Sequence, residues 1–149
     1  MQTIYKMFEH LHWANEQILA VLQNSEDKMN EEKRLFSHIL LTEEVWLNRI
    51  IGLENQASLI WTELGIEECS KQINQNKQKY EQFFASLPDQ HADKLITYRN
   101  STGQEFTTSI RDILTHIALH GHYHRGQINQ KLRLDGFEPV GTDFITFVR

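Results

Sequence analysis

A single cysteine, Cys69, in 149 residues leaves no internal disulfide and no cysteine-rich zinc module. A metal site in this chain therefore has to be built from histidine and carboxylate, and the composition fits a reducing compartment. No apolar run is long enough to cross a bilayer, and the amino-terminal stretch "MQTIYKMFEHLHWANEQ" lacks the basic-then-apolar order of a secretion signal, so a cytoplasmic protein is expected. Clusters of Lys and Arg are also absent and the formal net charge is -5. Nothing here attracts a phosphate backbone or an anionic lipid surface, and neither nucleic acid nor membrane is expected as a partner. The chain has only two prolines, Pro88 and Pro139, so the segments between breakers are free to be long helices.

What fills those segments is apolar periodicity. At 149 residues and 40% hydrophobic, the chain is expected to be one domain over 1–149, with a core of its own. The first helix is read over Thr3 to Gln23, where Ile4, Phe8, Leu11, Ile18, Leu19 and Leu22 recur at helical spacing. The second runs from Asn30 to Ile51 on Leu35, Phe36, Ile39, Leu40, Trp46, Leu47 and Ile50, and Gly52 stops it. The third, Glu67 to Leu87, has a thin stripe of Ile73, Tyr80, Phe83, Phe84 and Leu87; its "KQINQNKQK" middle reads as a solvated face, and Pro88 ends it. The fourth starts near Ser109, whose pairing with Asp112 resembles a capping box, and runs to Leu134 before Gly136. The pattern predicts an all-α four-helix bundle. Between the third and fourth helices "KLITYRNSTGQEFTT" reads as a short hairpin or an irregular loop. The tail "PVGTDFITFVR" is apolar enough to pack back on the bundle.

The stretch "LTHIALHGHYHRGQI" holds four of the eight histidines. At about 100° per residue, His116, His120 and His124 form a slowly drifting stripe on the core-facing side, whereas His122 falls on the far face. His116 and His124 are separated by about 12 Å along the axis at 1.5 Å per residue. They cannot share one ion with His120 at metal–nitrogen distances near 2.1 Å. The pair is either His116 with His120 or His120 with His124. Two imidazoles on adjacent turns inside a bundle need separate hydrogen-bond partners or one divalent cation. His38 in "LFSHILL", at the margin of an apolar arc, is the first candidate for a third ligand, and His12 in "HLHWAN" is its rival. His10 points away from the first helix's arc and His91 sits in a loop; neither is expected to ligate.

The carriers of a family resemblance are now in place: "HWAN", "SHILLTEEVWLNRI", "HGHYHRGQI" and the closing "TDFITFVR". Through these the chain resembles, essentially end to end, the DinB-like (DinB/YfiT-like) metalloenzyme superfamily of four-helix bundles. The resemblance implies one divalent metal held by three histidines, which here are His38, His120 and His124. His116 then becomes a neighbouring or core residue, and His122 has no assigned role. The resemblance also implies a homodimer, and a metal that binds a low-molecular-weight thiol for transfer to a small electrophile.

Three neutral imidazoles leave the ion its charge and an open position, the pattern of a catalytic site; zinc, nickel and iron all suit them. The zincin mechanism does not fit, because Gly121 occupies the position of the HExxH glutamate. Glu43, about 80° from Leu35 and within the apolar arc, is the carboxylate that could serve as a base, with Arg125 or His116 as its partner; a structural ion pair or a subunit-interface glutamate is the plainer reading. The expected activity is a metal-dependent thiol S-transferase, needing no protein base because a coordinated thiol is acidified. The alternatives are a metal hydrolase of small esters or amides, with Glu43 as base, and a metal-binding protein without activity. The loop "GLENQASLIWTELG" with Trp61 is a candidate for the site mouth, although Trp61 reads first as core. Cys69, with no His or Arg beside it, reads as a small buried residue.

Overall fold

Each of the four amphipathic segments becomes a long helix in the computed structural model, which describes residues 1–24, 29–53, 59–100 and 102–149. They are α1 (Gln2–Gln23), α2 (Asn30–Ile51), α3 (Ile66–Ser86) and α4 (Ile110–Leu134). Local chemistry sets their ends. Gly52 adopts φ 74°, a left-handed conformation costly for other residues, and lets the Leu53 N–H reach back to the Asn48 carbonyl at 2.9 Å. Glu68 Oε2 accepts the Gly65 N–H at 2.7 Å and closes the first turn of α3. Leu87 is extended, as a residue before proline must be, and α3 stops there. Ser109 caps α4 by accepting the Asp112 N–H at 3.1 Å while donating to Asp112 Oδ2 at 2.7 Å.

The segment before α4 is a hairpin. Strands β1 (Leu95–Arg99) and β2 (Glu105–Ser109) pair antiparallel from Leu95 opposite Ser109 to Arg99 opposite Glu105. Asn100 Oδ1 organises the turn by accepting from the Thr102 N–H, the Thr102 hydroxyl and the Gln104 N–H. The hairpin runs directly into α4, whose first residues bond back to the Lys94 and Ala92 carbonyls. A fifth, one-turn helix, α5 (Phe144–Phe147), brings the tail back on α1, with Phe147 against Trp13 and Phe144 against His10. Ile145 and Val148 nevertheless remain exposed, so the tail is only partly buried. The architecture is thus mostly helical, with a two-stranded hairpin and a short fifth helix added to the four-helix expectation. No helix among the described residues is long and apolar enough to cross a membrane.

α2 packs on both α3 and α4, and α1 on both α3 and α4. Their inward faces form two apolar clusters. One contains Ile18, Leu22, Phe36, Ile39, Leu40, Ile73, Ile128 and Leu132; the other contains Phe8, Leu11, Leu47, Tyr80, Ile113, Leu114 and Ile117. On each of the four long helices a buried polar residue lies between the two: Asn15, Glu43, Asn76 and Arg125. The supposed solvated middle of α3 is therefore only partly so. Ile73, Asn76 and Tyr80 lie one helical turn apart, and Asn76 is 1% exposed.

Ser109→Ala removes the α4 cap acceptor and should lower the unfolding free energy by about 1 kcal/mol in urea titration, with the denaturant slope unchanged.

Candidate metal centre

His38 on α2 and His120 and His124 on α4 converge, each offering one ring nitrogen, with these atoms all within 4.8 Å of one another. Ring centroids lie 5.1 Å (His38 to His120), 4.9 Å (His38 to His124) and 4.5 Å (His120 to His124) apart. Tetrahedral ligands at bonds near 2.1 Å would be separated by about 3.4 Å, so side-chain adjustment of an ångström suffices to close the group on one ion. Hydrogen bonds orient two of the rings. His38 Nδ1 donates to the Ile60 carbonyl at 2.9 Å, leaving Nε2 as the atom that can ligate. His124 Nδ1 donates to Gln127 Oε1 at 2.7 Å, and its Nε2 presents a lone pair 3.1 Å from His120 Nε2. Burial, followed by the neighbouring His124 and His38, depresses the His120 pKa to about 3, and burial also lowers that of His38. Neutral imidazoles are what a cation needs, and the donor set fits a divalent ion.

Of the two pairs that spacing allowed on α4, the structure brings His120 and His124 to His38. His116 stands at the edge of this group, its ring 5.5 Å from His120 and edge-on to Trp46 at 5.2 Å; it is exposed and not a core residue. Trp61 is also not core. It is 48% exposed and lies flat on His38, centroids 3.7 Å apart and planes within 4°, covering one face of the ring. Residues 54–58 of the loop leading to it lie outside the described residues.

Glu43 is 2% exposed and its carboxylate is held inside the bundle by α1 and α3, not by the histidine group. Asn15 Nδ2 donates to one carboxylate oxygen at 2.9 Å and Asn76 Nδ2 to the other at 3.0 Å, while the Tyr80 hydroxyl donates to the Glu43 carbonyl at 2.7 Å. Arg125 joins through Asn15, its Nη1 donating to Asn15 Oδ1 at 2.9 Å. The expected Glu43–Arg125 partnership thus passes through an asparagine, and His116 has no part in it. Burial outweighs these donors and raises the Glu43 carboxyl to about 7, and burial lowers Arg125 to about 10. Gly121 owes its identity to the same arginine: a Cβ there would meet Arg125 Nη1 at 3.0 Å. Any side chain at this position would require the guanidinium to shift by a few tenths of an ångström.

His12 lines a separate cavity of about 770 Å³ between α1 and α3, beside Phe8 and Tyr80, so it does not adjoin the three histidines. His10 is buried under the tail and bonds the Thr142 carbonyl at 2.7 Å. His122 and His91 are exposed. Cys69 is fully buried, and burial pushes its thiol pKa up, which makes it a poor nucleophile. Sequence reasoning missed Asn76, although it sits on the Ile73–Tyr80 stripe, and gave no role to Asn15 or Gln127. The Ile60 carbonyl, a backbone group in a loop, left no signal to find.

The DinB family's sequence profile matches residues 1–149. The chain is similar to the protein DinB of Bacillus subtilis (strain 168), with 24% identity over 155 aligned positions that cover 94% of this chain and 90% of the relative.

Replacing His38, His120 or His124 singly by Ala should abolish stoichiometric divalent metal in elemental analysis, and His122→Ala and His91→Ala should retain it. Retention in His124→Ala with loss in His116→Ala would move the site one turn. Glu43 gives a pH signature. Its folded-state pKa of about 7 lies above the ordinary 4.5; the native state therefore binds the extra proton, and this contribution to stability is present below 4.5 and lost as pH rises through 7. Glu43→Gln should gain roughly 3 kcal/mol relative to wild type between pH 4.5 and 8, read from paired denaturant titrations.

Proposed function

The chain belongs to the DinB family, and from that premise we propose that it is a metal-dependent thiol S-transferase acting on small electrophiles, with His38, His120 and His124 as ligands of zinc, nickel or iron. One observation carries the reading: the converging group consists of three imidazoles and, among the described residues, no carboxylate. A divalent ion bound there would supply a positive charge beside an open position, lowering the pKa of a thiol or water placed in it. Thiol chemistry needs nothing further from the protein as base. Hydrolysis would call for one, and the named candidate, Glu43, is spent on Asn15 and Asn76 inside the bundle.

The chain's own groups bind and orient. The Ile60 carbonyl and the Trp61 face hold the His38 ring in one plane. Gln127 does the same for His124. Trp61 covers one face of the His38 ring and Trp46 stands edge-on to His116, so both rings reduce the water that reaches the histidine group. In the transfer the thiol sulfur forms a bond to the electrophilic carbon, the leaving group departs with its electron pair, and the thiol proton passes to solvent. With a divalent ion held by these three neutral imidazoles, the centre would carry a net positive charge and would favour thiolate over thiol.

Cobalt-substituted protein should show a sulfur-to-cobalt charge-transfer band on adding a small thiol, and His38→Ala should show none. Conjugation to a haloarene or epoxide should need both metal and thiol. Ester cleavage that is independent of thiol and lost in His38→Ala would replace this reading with a hydrolase. Absence of both responses would leave a metal-binding protein.

A further inference from the structure

Along α2, His38, Thr42, Val45 and Arg49 are spaced by four, three and four residues, so at 100° per residue Arg49 returns to within about 20° of His38. This stripe faces His116 and His120 of α4 across a pocket of about 240 Å³, which is completed by Trp46, Ile60 and Asn100. One region of the pocket is the histidine group. Three turns further along the helix, it is a guanidinium.

The guanidinium of Arg49 is held in place without being neutralised. It lies over the Trp46 ring at 4.4 Å and near the Tyr98 ring at 5.1 Å, and its Nη2 donates to the Arg99 carbonyl at 3.2 Å. Two rings and a carbonyl fix its direction, but among the described residues no carboxylate pairs with it, and none lines the pocket. Burial lowers its pKa, the mark of a cation that has lost part of its water. Beside it, Asn100 spends its side-chain oxygen on the Thr102 N–H at 3.0 Å, the Thr102 hydroxyl at 2.7 Å and the Gln104 N–H at 3.0 Å. The amide is thereby set in one orientation, and the group it has left for a ligand is the Nδ2 donor. A fixed cation and a fixed donor on one wall, with no anion of the protein's own, are complementary to a carboxylate.

We propose that Arg49 and Asn100 form a carboxylate-binding subsite, so that the ligand of the histidine centre is a small molecule with its reacting group at one end and a carboxylate at the other. The pocket limits its size: about 240 Å³ holds roughly eight non-hydrogen atoms at the ~30 Å³ one water occupies. The thiol reading above is used only for the identity of the reacting group. The carboxylate end stands on the pocket wall.

The test compares 5-mercaptopentanoate, whose length suits the pocket better than a shorter thiol acid, with its methyl ester, two thiols that differ in the charge at the far end, by calorimetric titration of zinc-loaded protein. Wild type should bind the acid about tenfold more tightly than the ester, or better. Arg49→Gln should erase the difference by weakening the acid alone. Arg49→Lys, which keeps the charge and loses the planar fork, should retain part of it. Asn100→Asp places a carboxylate beside the subsite and should repel the acid while sparing the ester, and it keeps the test open if Arg49→Gln fails to fold by circular dichroism. Equal binding of acid and ester to wild type would overturn the subsite while leaving the thiol reading intact. A preference that survives in Arg49→Gln would place the anion elsewhere and overturn the assignment. If no thiol gives the cobalt band, yet pentanoate binds wild type and not Arg49→Gln, the subsite stands and the thiol reading falls.

Discussion

Arg125, Asn15, Glu43 and Asn76, one residue from each long helix, form a chain of hydrogen bonds across the middle of the bundle, and the register of the helices depends on it. Its energetic value is low. Glu43 and Arg125 have both left water, and Arg125 Nε and Nη2 have no hydrogen-bond partner among the described residues, so a well-packed apolar layer of the same volume would be at least as stabilising. What the chain of bonds adds is direction. Apolar ridges tolerate small slips, whereas a hydrogen bond of 2.9 Å between side chains of different helices does not. Sliding α2 by one residue moves Glu43 by about 1.5 Å and turns it by 100°, away from both asparagines.

The histidine group inherits that register. His38 is five residues before Glu43 on α2, and His120 and His124 are five and one before Arg125 on α4. Aligning Glu43 with Arg125 across Asn15 therefore aligns the three imidazoles on the neighbouring face, although no hydrogen bond joins the two sets. Gly121 serves both. Its missing side chain admits the Arg125 guanidinium to the core, and in the same turn it separates His120 from His122 so that only the former faces α2. Glycine supplies no carboxylate where a zincin carries its general base, so that chemistry is closed to this position.

The pocket beside the histidines is set apart electrostatically from the interior. Inside, a carboxylate with a raised pKa is surrounded by donors. Outside, the pocket wall carries neutral imidazoles, the Trp46 ring and the Arg49 cation. A ligand entering from solvent meets positive potential at Arg49 and, with a divalent ion bound, at the histidines as well, with little protein charge to screen it. Separating Glu43 from the pocket keeps that potential of one sign.

Periodicity, with the stop and cap residues Gly52, Pro88, Ser109 and Gly136, determined the four helices, their limits to within a residue or two, the two apolar stripes of α1 and α2, and the stripe of histidines from which a pair could act together. These are properties of a single helix, readable because burial repeats every 3.6 residues whatever lies opposite. The resemblance, carried by short motifs, singled out His38, His120 and His124, and the structure brings these three together. Tertiary structure alone decided what each polar residue faces. Asn76 was lost in a run of polar neighbours because its partner, Glu43, lies on another helix. Trp61 was read as core, yet it stacks on His38 from a loop that has no periodicity. His12 was the rival of His38 for the third ligand position, but α3 lies against His12 and α4 against His38. A sequence pattern fixes an angle about one axis; the identity of the neighbour at that angle depends on how the axes pack, and that is set by contacts distant in the chain.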